Sequence, residues 1–207
     1  MMKKDSVVIP FAGYPIHKHC SKITLTNDEL NFLLNLEKGQ HFKSNVQLSK
    51  DTNILKHNQL KRLKDIIWNS FLDYVENVLE IENQFYICTS WSTIQKKGDY
   101  HPSHIHSNAV FSTILYAQAD KSSLNFYVDR SMIQKGFHFS YNIKNYNYFN
   151  SQRWNLPVTT GDIVTFPGDL RHESPIHNLD TDRIIIGVSF FAKGDFGSDD
   201  KYNKIRI

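Results

Sequence analysis

The stretch Arg183-Ile-Ile-Ile-Gly-Val-Ser-Phe-Phe191 has the β-branched and aromatic composition of a buried strand. Because successive side chains of a strand point to opposite faces, it divides into two sets. The apolar set is Ile184, Ile186, Val188 and Phe190. The other set is Arg183, Ile185, Gly187 and Ser189. We therefore expect the first face to pack on a core and the second, with one cation and small neighbours, to border a pocket.

Shorter β-rich runs precede this strand from residue 84 onward, and only loops separate them. The runs span residues 85–94, 111–117, 124–127, 154–158 and 163–166. Strands that follow one another without intervening helices argue against a parallel βαβ sheet. The pattern predicts two antiparallel sheets packed as a jelly roll, with a mainly β core over residues 84–193.

Helices are predicted only before this core. Thr26-Asn-Asp-Glu29 resembles a helix start, capped by Thr26 or Asn27, and Gly39 is expected to end that short helix. Apolar residues recur every three or four positions from about 59 to 80, which predicts one long amphipathic helix. We expect an extended entry strand over residues 7–15 and a single domain over residues 1–207. Residues 1–83 would hold the entry strand and helices, and residues 194–207 a C-terminal tail.

Composition narrows the class of protein. The chain has 207 residues, of which 40% are hydrophobic and 22% charged, enough for a core of its own. Cys20 and Cys88 form no metal-binding spacing, and no apolar run reaches membrane-spanning or signal-peptide length, so we expect a cytoplasmic protein, in the host cytoplasm if it is viral.

Charge argues against a nucleic-acid partner. The net charge of +3 is spread among both signs, so nucleic-acid binding is not expected. The basic residues Lys56, Lys61, Arg62 and Lys64 on the predicted long helix are interpreted as a solvated face. The oligomeric state stays open, because no heptad seam is visible.

Three histidines lie close together in His101-Pro-Ser-His-Ile-His-Ser-Asn108. In an extended segment His104 and His106 would face the same side and could bind one metal ion. A third ligand is expected from His172, which follows a turn and an apolar strand. Imidazole suits iron, copper, nickel and zinc alike. Two alternatives stay open. The histidines could be surface loop residues, or the ligand in place of His106 could be a water molecule, His101, Asp120, Asp129 or Glu173.

Arg183 stands eleven residues after His172 and would begin the pocket face of its strand. A guanidinium there could hold a carboxylate through two hydrogen bonds. The alternative is a surface arginine paired with Asp180 or Asp182. Tyr116 shares one face of strand 111–117 with Ser112 and Ile114, and would either donate to the same carboxylate or serve the core.

Taken in order, these motifs resemble those of the iron(II)- and 2-oxoglutarate-dependent oxygenases. They are Trp91, Gly98-Asp-Tyr-His-Pro-Ser-His-Ile-His106, Ser112-Thr-Ile-Leu-Tyr116, Leu124-Asn-Phe-Tyr127, Gly161-Asp-Ile-Val-Thr-Phe-Pro167, His172 and Arg183. More narrowly, the sequence is similar to the small 2-oxoglutarate oxygenases of tailed phages and bacteria. The resemblance covers about residues 84–193.

The resemblance implies a double-stranded β-helix around an iron ion, supported by the two helices. It implies His104 and His172 as metal ligands and Arg183 as the clamp of the co-substrate's far carboxylate. Tyr116 and Ser189, which the strand alternation places on pocket faces, are expected in the same co-substrate site. His106 stands where the superfamily has an acid, so a metal ligand there leaves the site one positive charge higher. The implied cofactor is Fe(II), with 2-oxoglutarate and O2 as co-substrates.

The implied reaction releases succinate and CO2 and hydroxylates an unactivated C–H bond, without a separate acid–base residue. The substrate would be a protein side chain, such as a prolyl residue, or a small amino-acid-like molecule. Two alternatives are a cupin-like three-histidine metal protein that does not use 2-oxoglutarate, and a jelly-roll module without catalysis. Residues 129–152 would form either a substrate lid or a surface excursion.

Overall fold

The computed structural model describes residues 13–41, 44, 46–129, 142–197 and 204–207. Most of the expected entry strand over residues 7–15 lies outside these ranges. The described chain forms two antiparallel sheets with helices against one of them, which confirms the predicted fold class.

The first sheet has seven strands, all antiparallel to their neighbours. In spatial order they are His17–Cys20 (β1), Asp162–Pro167 (β9), Phe111–Gln118 (β6), Arg183–Lys193 (β11), Gln84–Gln95 (β4), Gln47–Ser49 (β3) and Lys38–Gln40 (β2). β11 lies in the middle, between β6 and β4, so both of its edges are paired.

The second sheet has four antiparallel strands. In spatial order they are His101–His104 (β5), Arg171–Ser174 (β10), Ser122–Tyr127 (β7) and Arg153–Val158 (β8). A short ribbon, Asp195–Phe196 (β12) with Ile205–Arg206 (β13), follows β11. From β4 onward the chain passes back and forth between the two sheets, which is the double-stranded β-helix arrangement. β5 and β10 were not predicted as strands.

Helix α1 spans Asn27–Asn35 and begins as predicted. The Thr26 Oγ1 accepts from the Glu29 N–H at 3.3 Å, and the Glu29 carboxylate accepts from the Thr26 N–H at 2.8 Å, which is a capping box. The predicted end at Gly39 is wrong. The helix stops at Asn35 because Leu36 is already extended (φ −58°, ψ 139°), and Gly39 lies within β2.

The predicted long helix is confirmed as α2, Lys61–Leu72, which continues as one π-helical turn over Asp73–Val78. Two 3₁₀ turns, Ile54–Lys56 and Asn58–Leu60, precede it. Its apolar stripe packs on the outer face of the first sheet, where the Phe71 ring stacks on Phe190 with centroids 3.7 Å apart. The four basic residues of the predicted solvated face are exposed.

The two faces of β11 belong to two different cores, as the alternation predicts. Its apolar set of four residues joins the core under the helices. Ile185 instead joins a second core between the sheets, together with Tyr116 and Phe126. The pocket face of β11, which carries Arg183, Ile185, Gly187 and Ser189, therefore borders the space between the two sheets. Within the described ranges, no helix is long and apolar enough to cross a membrane.

Phe71→Ala tests the contact between α2 and β11. Phe71 is fully buried, so the truncation should lower the free energy of unfolding by about 3–5 kcal/mol, as measured by urea denaturation. Leu34→Ala on α1 is the matched control, because Leu34 is 43% exposed and should change that free energy by less than about 0.5 kcal/mol. Equal losses in the two variants would contradict the packing described.

Candidate functional site

His104 and His172 are brought together by strand pairing. They stand directly opposite each other in the β5–β10 pair, and their ring centroids are 4.4 Å apart. His106 follows two residues after β5, with its ring centroid 5.1 Å from that of His104 and 5.0 Å from that of His172. One ligand atom from each of the three histidines lies within 4.8 Å of the other two. The structure thus places the three sequence-predicted residues in one cluster.

The ring orientations of His104 and His172 are fixed by the backbone. The Nδ1 of His104 lies 2.8 Å from the Pro102 carbonyl oxygen, and the Nδ1 of His172 lies 2.9 Å from that of Leu170. A carbonyl oxygen only accepts, so each Nδ1 carries the proton and each Nε2 keeps a lone pair. Hydrogen bonds of this kind orient histidine ligands in metal sites.

His106 has a different kind of partner. Its Nδ1 lies 2.8 Å from the Ser112 Oγ and 3.4 Å from the Ser189 Oγ. A hydroxyl group can donate or accept, so this environment supports either tautomer of His106. The Nε2 atoms of His104 and His106 lie 3.2 Å apart. This is about the separation of two nitrogen ligands bound at roughly 2.1 Å to one ion with about 100° between the bonds.

The three histidines are held in their neutral forms. Burial is the main cause that lowers the pKa of each, to about 4 for His106 and well below the usual value for His172. Neighbouring histidines lower the pKa of His106 and His172 further. Neutral imidazole is the form that binds metals, so the cluster fits a divalent ion such as iron.

The other candidates for a third ligand do not join this group of ligand atoms. His101 stacks on His104 and touches the His41 ring, and burial lowers its pKa to about 3. Glu173 points to the other face of β10, where it accepts hydrogen bonds from Asn125 and Tyr127. The remaining two, Asp120 and Asp129, are exposed.

Arg183 is buried, with 1% of its surface exposed. Its Nε donates to the Gln95 Oε1, its Nη1 to the Ser122 Oγ at 2.7 Å and its Nη2 to the Pro175 carbonyl oxygen at 2.8 Å. All three acceptors are neutral, and among the residues that the structure describes no carboxylate forms an ion pair with this guanidinium.

The alternative of a surface Arg183 is therefore wrong. Asp180 pairs with Lys97 at 2.8 Å instead, and the Asp182 carbonyl oxygen accepts from the Gln118 side chain. The physical reason is that β7 and the segment after β10 cover the start of β11, as the bonds of Arg183 to Ser122 and Pro175 show. Burial lowers the pKa of Arg183, although an arginine in a protein still stays charged.

Tyr116 and Ser189 lie at different ends of the pocket face. Tyr116 is fully buried, and its hydroxyl has no hydrogen-bond partner within the described part of the chain. Burial raises the pKa of Tyr116, and the positive charge of Arg183 opposes that shift. Ser189 lies beside His106 instead of Arg183. The co-substrate roles of both residues stay predictions.

Trp91 and Gly187 form a wall of the pocket between its Arg183 end and its histidine end. They are Cα partners in the β4–β11 pair, and the Trp91 ring lies 5.4 Å from that of His106. A Cβ atom on Gly187 would stand 2.5 Å from Trp91 Cε2, so only glycine leaves room for the indole. The predicted lid over residues 129–152 lies partly outside the described residues, since residues 130–141 are not described.

Comparison with known proteins identifies the family. The profile of the family described as “Putative 2OG-Fe(II) oxygenase” matches residues 89–190, a range that contains the three clustered histidines and Arg183. Residues 89–190 are thus a 2-oxoglutarate/iron(II) oxygenase domain. Members of this family use Fe(II), 2-oxoglutarate and O2, which agrees with the cofactors expected from the sequence. Among curated proteins there is no significant match to this oxygenase.

Solved structures share the fold at low sequence identity. HygX from Streptomyces hygroscopicus, with nickel and 2-oxoglutarate bound, has a TM-score of 0.57 and 10% identity over 84% of this chain and 82% of its own. A Pseudomonas putida prolyl-4-hydroxylase has a TM-score of 0.55 and 12% identity over 87% of this chain and 94% of its own. The 2-oxoglutarate-dependent epimerase SnoN has a TM-score of 0.57 and 8% identity over 84% of this chain and 72% of its own.

Gly187→Ala tests the wall beside the histidine cluster. The new methyl group would overlap the Trp91 indole, so we expect the variant to lose about 1–3 kcal/mol of unfolding free energy and to change its near-ultraviolet circular dichroism. Gly39→Ala is the control, because a Cβ there would meet Lys50 Cγ at an ordinary 3.8 Å. A Gly187→Ala protein as stable as the control would show that the indole does not depend on this glycine.

Proposed function

We propose that this oxygenase hydroxylates an unactivated C–H bond while it converts 2-oxoglutarate to succinate and CO2. In this proposal His104, His106 and His172 hold the iron, and Arg183 with Tyr116 binds the distal carboxylate of 2-oxoglutarate. The observation that carries the proposal is the buried Arg183 guanidinium, which pairs with no carboxylate of the described residues and lies on the sheet face that also borders the three-histidine cluster.

The donors around Arg183 support a carboxylate ligand. A guanidinium has five N–H donors, and Arg183 uses three of them in its bonds to Gln95, Ser122 and Pro175, which leaves two. The unpaired Tyr116 hydroxyl adds another. A buried charge costs several kcal/mol unless an opposite charge compensates it. The distal carboxylate of a dicarboxylic acid would supply both the charge and the acceptors.

The histidine cluster supports the metal end. Three neutral imidazoles on one side of an ion leave its other coordination positions open for a bidentate co-substrate and for oxygen. Iron bound there supplies the oxidising chemistry. The chain's own residues hold and orient the ligands: Pro102 and Leu170 fix two imidazoles, and Ser112 supports the third.

The substrate in this proposal is a protein side chain, such as a prolyl residue, or a small amino-acid-like molecule. A prolyl-4-hydroxylase and a HygX complex with hygromycin B both have this fold, so the fold is compatible with a prolyl substrate and with a small molecule. Ser189 belongs to the proposed site through His106, which it contacts, and only indirectly to the co-substrate.

Removal of single histidines tests the metal ligands. We expect one Fe(II) per wild-type chain by elemental analysis of protein without a histidine tag. His104→Ala, His106→Ala and His172→Ala should each weaken Fe(II) binding by more than the roughly 10–100-fold that loss of a ligand's hydrogen-bond partner causes. His101→Ala is the control and should keep the stoichiometry. If His172→Ala keeps the wild-type metal content, this ligand set is ruled out. If His106→Ala keeps it, only His104 and His172 remain as ligands.

Arg183→Ala tests the co-substrate. In anaerobic wild-type protein with Fe(II), 2-oxoglutarate should produce a visible charge-transfer band, and Arg183→Ala should raise the dissociation constant measured from that band by about 100-fold or more, because the carboxylate loses its cation. Arg153→Ala is the control, since that arginine is exposed on the other sheet. Wild-type protein that binds metal without any response to 2-oxoglutarate would favour the cupin-like alternative.

A further inference from the structure

Two more polar side chains on the sheet face of Arg183 have no hydrogen-bond partner among the described residues. Gln95 is the Cα partner of Arg183 across the β4–β11 pair, and Thr93 is that of Ile185, so their side chains share the pocket face. Both residues are fully buried. The Gln95 Nε2 and the Thr93 Oγ1 have no partner among the described residues.

The orientation of the Gln95 amide follows from its neighbour. The Arg183 Nε–H is a donor, so only the Oε1 of Gln95 can face it. The amide nitrogen then stands beside the guanidinium with two N–H groups and no acceptor. A buried polar group left in this state costs about 1–3 kcal/mol.

The unpaired groups around Arg183 share one chemistry. The Gln95 Nε2, the Tyr116 hydroxyl, the Thr93 hydroxyl and the remaining N–H groups of Arg183 can all donate. Donors that share one sheet face with a buried cation fit an anion with several acceptor positions, and a carboxylate offers about four.

The residue type at position 95 also matters. A glutamate there would form the same hydrogen bond to Arg183 and would neutralise its charge inside the protein. Glutamine has the same shape and keeps the hydrogen bond, yet leaves the charge available to a ligand. A purely structural support for Arg183 would not need this choice.

We propose that Gln95 positions the distal carboxylate of a dicarboxylic 2-oxo acid, with its Oε1 holding Arg183 and its Nε2 donating to the carboxylate. Gln95 thereby contributes to the preference of the oxygenase for a dicarboxylic over a monocarboxylic 2-oxo acid. This inference rests on the proposed function, because it concerns the same co-substrate pocket.

The test compares two ligands that differ only at the distal end. Anaerobic protein with Fe(II) is titrated with 2-oxoglutarate and with 2-oxopentanoate, which lacks the distal carboxylate, and binding is followed by the charge-transfer band. Gln95→Glu should weaken 2-oxoglutarate binding by at least about tenfold, because its carboxylate competes for Arg183, and should leave 2-oxopentanoate binding within about twofold of wild type.

A second variant and a control complete the design. Gln95→Met removes both the donor to the carboxylate and the acceptor that holds Arg183, without adding charge, and should weaken only 2-oxoglutarate binding, by about threefold to tenfold. It carries the test if Gln95→Glu does not fold, as judged by circular dichroism. Gln47→Glu makes the same charge change at an exposed position of β3 and should bind both ligands as wild type does.

The outcomes separate the two proposals. Wild-type protein without a 2-oxoglutarate response overturns the proposed function, and the role of Gln95 with it. A normal wild-type response with unchanged 2-oxoglutarate binding in Gln95→Glu or Gln95→Met overturns the role of Gln95 alone. Equal weakening of both ligands also overturns it, because the residue would then act on the whole pocket and not on the distal carboxylate.

Discussion

The buried positive charge of Arg183 is the constraint on which the arrangement of the pocket depends. Its hydrogen bonds reach Gln95 in the first sheet, Ser122 in the second sheet and Pro175 in the segment after β10. The same side chain therefore joins the two sheets and is held in place before any ligand arrives. A cation fixed in this way pays little ordering entropy when it binds an anion.

The histidine cluster is rigid on one side and adaptable on the other. His104 and His172 lie on paired strands, and each Nδ1 donates to the carbonyl oxygen two residues before it, so both orientations follow from strand geometry. His106 lies beyond the end of β5 and depends on the Ser112 hydroxyl. His106, which stands where the resemblance leads one to expect an acid, is thus also the histidine whose tautomer its hydrogen-bond partner does not fix.

The sequence predicted the features that repeat locally, and missed those that depend on pairing across the fold. Alternation along β11 was enough to predict its two faces and the inward position of Arg183, and the capping box marked the start of α1. The four-residue strands β5 and β10 have no apolar alternation to reveal them. Gln95 was missed because only its register with Arg183, 88 residues away, gives it a role.

The proposed binding of a distal carboxylate by Arg183 has a consequence for the end of the catalytic cycle. In the proposed reaction 2-oxoglutarate enters as a dianion and succinate leaves as a dianion with the same terminal carboxylate. Arg183 and Gln95 therefore meet an unchanged group before and after turnover, and their contacts cannot favour departure of the product. Product release must be decided where the two acids differ, at the end of the pocket that His104, His106 and His172 form.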